Sequence, residues 1–216
     1  VAGGIAGVAV VGVAVFLTRF NEILDGSKKR LQDALSANQA YYDAKTFGRL
    51  PSYDTPMDVF TVKSRKAVYT TYVKGTMAAF LCCVPGFHAI SVADSDDTFK
   101  ATNQMIDRYW DNLPEAVRAN VRKKHWDESF KEIDWGGISS SITMSSSRSP
   151  NFARGFTPKM GDYDEAGLYQ PGFEARVYTS TENSFPPNRW IFKGGTPGGT
   201  GGRFYRDFVA LKKGEW

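Results

Sequence analysis

Val1–Thr18 reads VAGGIAGVAVVGVAVFLT, without a charged side chain, and Arg19 closes the run. At about 1.5 Å of rise per residue, this stretch makes a helix roughly 27 Å long, close to a bilayer's hydrocarbon thickness. A helix also satisfies its own backbone hydrogen bonds, as lipid requires. Gly3 and Gly7 stand in a GxxxG spacing, and Ala2 with Ala6 repeats the pattern of small residues beside it. Such a surface lets a second helix approach backbone to backbone. The stretch predicts a transmembrane helix over 1–20 that packs against protein. A signal peptide would begin with Met and a basic region. A core helix would carry less glycine.

The chain has 216 residues, with Lys+Arg 27 against Asp+Glu 23, and a net charge of +4. A balance this mild does not argue for nucleic acid. Arg19, Lys28, Lys29 and Arg30 follow the apolar run. By the positive-inside tendency they place the body on the matrix or stromal side. Cys82 and Cys83 are adjacent and the only cysteines, which excludes a disulfide framework.

The body, 21–136, reads as helical. Phe20 to Ala44 carries apolar residues at roughly helical spacing. Ala67 to Val84 is apolar enough for a core helix. Thr76 to Ala93 is nearly uncharged, but Pro85-Gly86 interrupts it, and it is at the short limit for a second pass. Asp94-Ser95-Asp96-Asp97 reads as a capping cluster for a helix from Asp96 to Leu113. Pro114 opens another to Ile133, and the two are read as a helical hairpin. Residues 137–150 read as a serine-rich linker. Residues 151–216 are rich in glycine, proline and aromatics, with short strands over Glu174–Thr179 and Arg189–Lys193. They are read as an extended arm whose Phe152, Phe156, Tyr169, Phe173, Phe185, Trp190, Phe192, Phe204, Tyr205 and Trp216 anchor in a partner's grooves. The expected class is mainly α: one transmembrane helix, a small helical body and an irregular arm.

No catalytic constellation stands out. His88 and His125 are the only histidines, and zinc spacings are missing. His88 is a weak ligand candidate, for a pigment if the membrane is photosynthetic. A calcium loop at Asp94 fails because its sixth and twelfth positions are Phe99 and Met105. The glycine run Gly194–Gly202 invites a phosphate-loop reading, but no GK[ST] follows and Arg203 succeeds it. His125 adjoins Asp127 and Glu128, but neighbours on a helix do not face each other.

These readings predict a non-catalytic accessory or structural subunit of an energy-converting membrane complex. The respiratory chain or ATP synthase of the mitochondrial inner membrane comes first, and a thylakoid photosystem second. A membrane-anchored enzyme with a site at His88 or His125 is the other alternative, and a basic tethering surface over Arg118 to Lys124 a third. Expected partners are other subunits and membrane lipids, with no nucleic acid, and no metal or cofactor is expected.

Overall fold

The computed structural model describes residues 56–63, 69–113, 115–149 and 157–213. The readings of Val1–Thr18, with Gly3, Gly7, Ala2 and Ala6, and of Phe20–Ala44 lie outside those residues.

Strand β1, Met57–Val62, turns Met57 and Val59 to one apolar cluster and Phe60 to another. Both faces of the strand are covered, which is the environment of a parallel sheet. Helix α1, Tyr69–Cys83, follows after a short connection and is buried along nearly its whole length. It runs between the sheet and a second helix, so its composition is apolar all round rather than striped. Strand β2, His88–Ala93, leads to α2, Asp96–Asp111. Ser95 caps α2 by accepting from the Thr98 amide at 3.3 Å, and Asp96 and Asp97 sit in its first turn. There their charges favour the helix dipole. After the single turn α3, Glu115–Arg118, come β3, Arg122–Trp126, β4, Phe130–Asp134, and β5, Ser139–Ser146. Strand β6, Met160–Tyr163, passes through a 3-10 turn at Ala166–Leu168 into α4, Pro171–Glu182. Strand β7, Trp190–Gly195, and α5, Gly202–Lys213, complete the described chain.

The seven strands form one sheet in the order β1-β7-β6-β2-β5-β4-β3. The first five are parallel, and β4 and β3 extend the sheet as an antiparallel hairpin. Helices α1 and α2 cover one face, with Val73, Met77, Phe80 and Ile106 packed on Met160, Trp190 and Phe192. Helices α4 and α5 cover the other, where Val177, Tyr178 and Phe204 meet Val92, Tyr163 and Ile191.

This architecture overturns the mainly α expectation. The run read as a helix from Pro114 to Ile133 is largely the β3–β4 hairpin. In β4 only Lys131 and Ile133 are fully buried, a two-residue alternation that a charged helix face can mimic over so short a span. The serine stretch read as a linker is β5, buried from Ser140 to Ser146 between β2 and β4. Glu174 to Thr179, read as a strand, belongs to α4. Trp190, Phe192, Phe204 and Tyr169, read as anchors for a partner, are buried in this chain's own core. Phe173 and Phe185 are half-buried and Tyr205 is exposed, while Phe152, Phe156 and Trp216 lie outside the described residues. Among the described residues no helix is long and apolar enough to cross a membrane.

Ile142, in β5, is fully buried. Ile142→Ala should lower unfolding free energy by about 2–5 kcal/mol in denaturant titration. A change below about 0.5 kcal/mol, normal for an exposed residue, would contradict its place in a core strand.

Candidate functional site

Parallel sheets with helices on both faces collect ligands where the strands end at their carboxyl edge. Here the ends of β1, β6 and β7 bring together Lys63, Asp164, Glu165 and Thr196, with Thr70 above them in the first turn of α1.

The assembly begins with a match of spacings. Helix α1 descends along the sheet as β6 climbs. Four helical residues rise about 6 Å and two strand residues about 6.6 Å. Thr70 and Lys74 therefore line up with Asp164 and Asp162. The Thr70 hydroxyl donates to Asp164 Oδ1 at 2.8 Å. One step below, the Lys74 ammonium is bound to Asp162 Oδ2 and to the Ser91 hydroxyl of β2. Both partners of that ion pair are fully buried.

Asp164 is 1% exposed, and among the described residues its Oδ2 has no hydrogen-bond partner. Burial, and then the nearby charge of Asp162, push its carboxyl up to about 6, against the pull of Lys74, Thr70 and Lys63. A buried oxygen of this kind, beside a hydroxyl, is the donor chemistry that a hard divalent cation takes. The pair fits a magnesium ion.

Glu165 follows in a left-handed backbone conformation, φ 51°, rare for a residue with a side chain. Its carboxylate is held from two sides. Lys63 pairs with Oε1, and the Thr196 amide donates to Oε2 at 2.9 Å. Burial pushes this carboxyl up, but the bonds from Lys63 and Thr196 outweigh it and leave it below the usual glutamate value. The Lys63 amide donates to the Gly195 carbonyl at 3.1 Å, which continues the β1–β7 ladder into the site. The Lys63 ammonium also stands 6.0 Å from the centre of the Tyr69 ring. The Tyr69 ring in turn lies against Gly194, where a Cβ would come within 2.2 Å of it.

Strand β1 is followed in sequence by helix α1, the order of elements that flanks a phosphate-binding loop. The usual pattern, GxxxxGK[ST], is matched only in its last position. Over 63–70 this chain reads KSRKAVYT, with Thr70 in the hydroxyl position and Val68-Tyr69 where Gly-Lys would stand. Among the described residues at this edge, the ammonium that pairs with Glu165 comes from Lys63, at the start of the segment. That displacement hides the site from a motif search. A legible signal was the Asp164-Glu165 pair directly after a short buried strand. Of the glycine run Gly194–Gly202, Thr196 belongs to the site, where its amide holds Glu165. His88 is elsewhere, at the opposite end of β2, where its Nδ1 is 2.8 Å from the Ser141 hydroxyl. Burial lowers its pKa. His125 pairs with Asp127 at 2.6 Å on the exposed hairpin. Among the described residues no cluster of His, Cys, Asp and Glu of metal-binding size occurs.

No protein-family model matches the sequence, and no curated protein matches it. Solved structures do. A mutant of the large terminase ATPase domain of Thermus phage P74-26 superposes with TM-score 0.55 at 14% identity, over 72% of this chain and 64% of that one. The large terminase of bacteriophage HK97 superposes with TM-score 0.60 at 16% identity, over 82% of this chain and 36% of that one. This chain shares the fold of large-terminase ATPase domains. A thermophilic bacteriophage's large terminase in complex with ATP-γ-S superposes with TM-score 0.50 at 12% identity, over 82% and 42%. The chain thus spans less than two thirds of the length of these neighbours.

The fold corrects the functional expectations. A non-catalytic accessory subunit of a respiratory, ATP-synthase or photosystem complex is withdrawn, because the architecture is that of ATPase domains. The single-pass organellar placement goes with it, as do membrane-complex and lipid partners and the exclusion of nucleic acid.

Lys74→Met should destabilise the chain by about 3–5 kcal/mol by leaving Asp162 charged and buried alone. Adding Asp162→Leu should recover most of that loss in the same denaturant titration. Asp164 keeps its proton to about pH 6 in the folded chain and to about 4 in the unfolded one. Between these values the folded state binds more protons, so this group's contribution to stability falls as pH rises. Asp164→Asn should flatten that slope and stabilise the ligand-free chain at pH 7 by on the order of 2 kcal/mol.

Proposed function

We propose that this chain is a nucleoside triphosphatase that hydrolyses ATP at the carboxyl edge of its sheet, as the engine of a terminase-type motor acting on DNA. The observation that supports it is the convergence of Lys63, Thr70, Asp164 and Glu165 on one point of an ATPase fold.

The residues divide the work by chemistry. Lys63 supplies positive charge to the terminal phosphates. Thr70 and Asp164 would hold a magnesium ion, which neutralises phosphate charge when bound. Glu165 orients the attacking water and takes its proton. The water oxygen bonds to the γ-phosphorus. The bond from that phosphorus to the β–γ bridging oxygen breaks, and ADP leaves with the electron pair. The Thr196 amide holds Glu165 throughout.

Lys63 and Glu165 form an ion pair. Neither can serve substrate while so paired. An arriving triphosphate is a stronger anionic partner for Lys63 than one carboxylate, and charge-assisted bonds of this kind are the strong ones. Binding therefore transfers Lys63 from Glu165 to phosphate and frees one carboxylate oxygen for water. The pairing keeps the base occupied until substrate is present.

Two variants separate these roles. Lys63→Ala should weaken ATP binding by about tenfold or more, since it removes a charge-assisted contact. Glu165→Gln should bind ATP at least as tightly as wild type while hydrolysis falls by about 10²–10⁴-fold. Fluorescent-ATP anisotropy and phosphate release measure the two. A wild-type chain that binds no ATP in the presence of magnesium would refute the reading.

A further inference from the structure

Two loops meet at Glu165 in a close backbone-to-backbone contact. One is the turn after β6, Glu165 to Leu168. The other runs from the last residues of β7, Gly194 and Gly195, to Gly198. A Cβ on Gly167 would lie 2.4 Å from the Thr196 carbonyl oxygen, and one on Gly198 would lie 1.9 Å from the Gly167 carbonyl oxygen. A Cβ on Gly195 would come within 3.0 Å of the amides of Ala166 and Gly167. Three glycines thus let two main chains touch where any side chain would part them. The contact lies next to the Thr196 amide that holds the Glu165 carboxylate. It also lies next to the left-handed turn that aims that side chain.

We propose that Gly167, Gly195 and Gly198 form a positioning joint that locks the loop after β7 onto the Glu165 turn, and so sets where the Glu165 carboxylate lies during hydrolysis. The inference rests on the ATPase reading above. The joint borders the Glu165 turn, and its bond to the phosphate-binding side is the Lys63 amide on the Gly195 carbonyl, a backbone contact that leaves the Lys63 ammonium to turn to phosphate, so it acts on the chemical step before the hold on nucleotide. It also has a continuation. The same loop leads through Gly202, φ 78°, into α5, whose first amides, at Arg203 and Phe204, are accepted by Glu174 Oε1 at 2.7 and 3.3 Å. Glu174 lies on α4, the helix that follows the Glu165 turn. The two loops are therefore tied at both ends. At the near end glycine packing holds them, and at the far end a carboxylate caps a helix. A displacement of one loop moves the other and not only itself.

The magnitude follows from geometry. A catalytic group displaced by about 1 Å loses roughly 10²-fold in rate. A methyl group at Gly195 forces a shift of a few tenths of an ångström, and one at Gly198 a larger one. Gly201 supplies the control: it is in the same loop, has no positive φ, and a Cβ there meets nothing within 4 Å.

The test uses the full chain with magnesium and ATP. Wild type, Gly195→Ala, Gly198→Ala and Gly201→Ala are compared in single-turnover hydrolysis, fluorescent-ATP anisotropy and thermal unfolding. We expect the rate constant to fall about tenfold in Gly195→Ala and further in Gly198→Ala. Nucleotide affinity should stay within about twofold, and Gly201→Ala should match wild type. Equal rates in all four would overturn the joint and leave the ATPase reading standing. Parallel losses of rate, affinity and unfolding temperature in Gly195→Ala would also overturn it, as a merely structural contact. A wild-type chain that neither binds nor hydrolyses ATP would overturn the ATPase reading, and the joint with it. One that binds without hydrolysing would overturn the hydrolytic half of the reading and the joint together.

Discussion

Lys74 bonded to Asp162 beneath the site is the contact on which the arrangement above it depends. It removes two charges from water, and such a pair is weak evidence of added stability, since a hydrophobic substitute often serves as well. Its value here is register. The pair joins α1 to β6 one step below Thr70 and Asp164, with Ser91 of β2 as a third point of attachment. A helix that slid by one residue along the sheet would strand an ammonium in an apolar layer. The ion pair therefore makes misalignment costly, and Thr70 stays opposite Asp164. A leucine pair could fill the same volume but would tolerate sliding.

Above that level the site is held by opposed charges and by shape. Asp164 bears the strain of burial, and Glu165 is relieved of it by Lys63 and Thr196. Two neighbouring carboxylates thereby titrate in opposite directions. Tyr69 occupies the position at which a phosphate-loop lysine is usual. Its ring packs on Gly194 and brings β7's end against the first turn of α1.

What the sequence showed and hid follows from these same residues. The capped helix beginning at Asp96 was legible, because capping is local chemistry written in consecutive residues. The apolar helix ending near Pro85 was legible as apolar, but its position between two layers made it resemble a membrane segment. Strand β5 was hidden because serine is small and polar, and its burial depends on β2 and β4, distant in sequence. The β3–β4 hairpin was hidden by length, since five-residue strands offer too few alternations to exclude a helix. The aromatic residues of the last quarter read as anchors for a partner, but Trp190 and Phe192 pack in this chain's own core, against residues distant in sequence. The site was hidden because its lysine stands seven positions before Thr70 instead of one. Its acids are an ordinary-looking dipeptide whose meaning appears only when β6 lies beside β1's neighbour.

The pairing of β1 with β7 joins Met57 to Trp190. Strand β1 has no other partner within the described sheet. A chain synthesised from its amino end therefore carries β1 unpaired until β7 has been made. Pairings this distant in sequence form late, after loop closure has been overcome. Lys63 is thus fixed in place by the last of the described strands to emerge, and Thr196, which holds Glu165, arrives directly after it. An incomplete chain ending before residue 190 contains Thr70, Asp164 and Glu165 but has no strand to seat Lys63 beside them. The assembly of this sheet edge is in this sense a property that the fold acquires only once β7 has paired with β1.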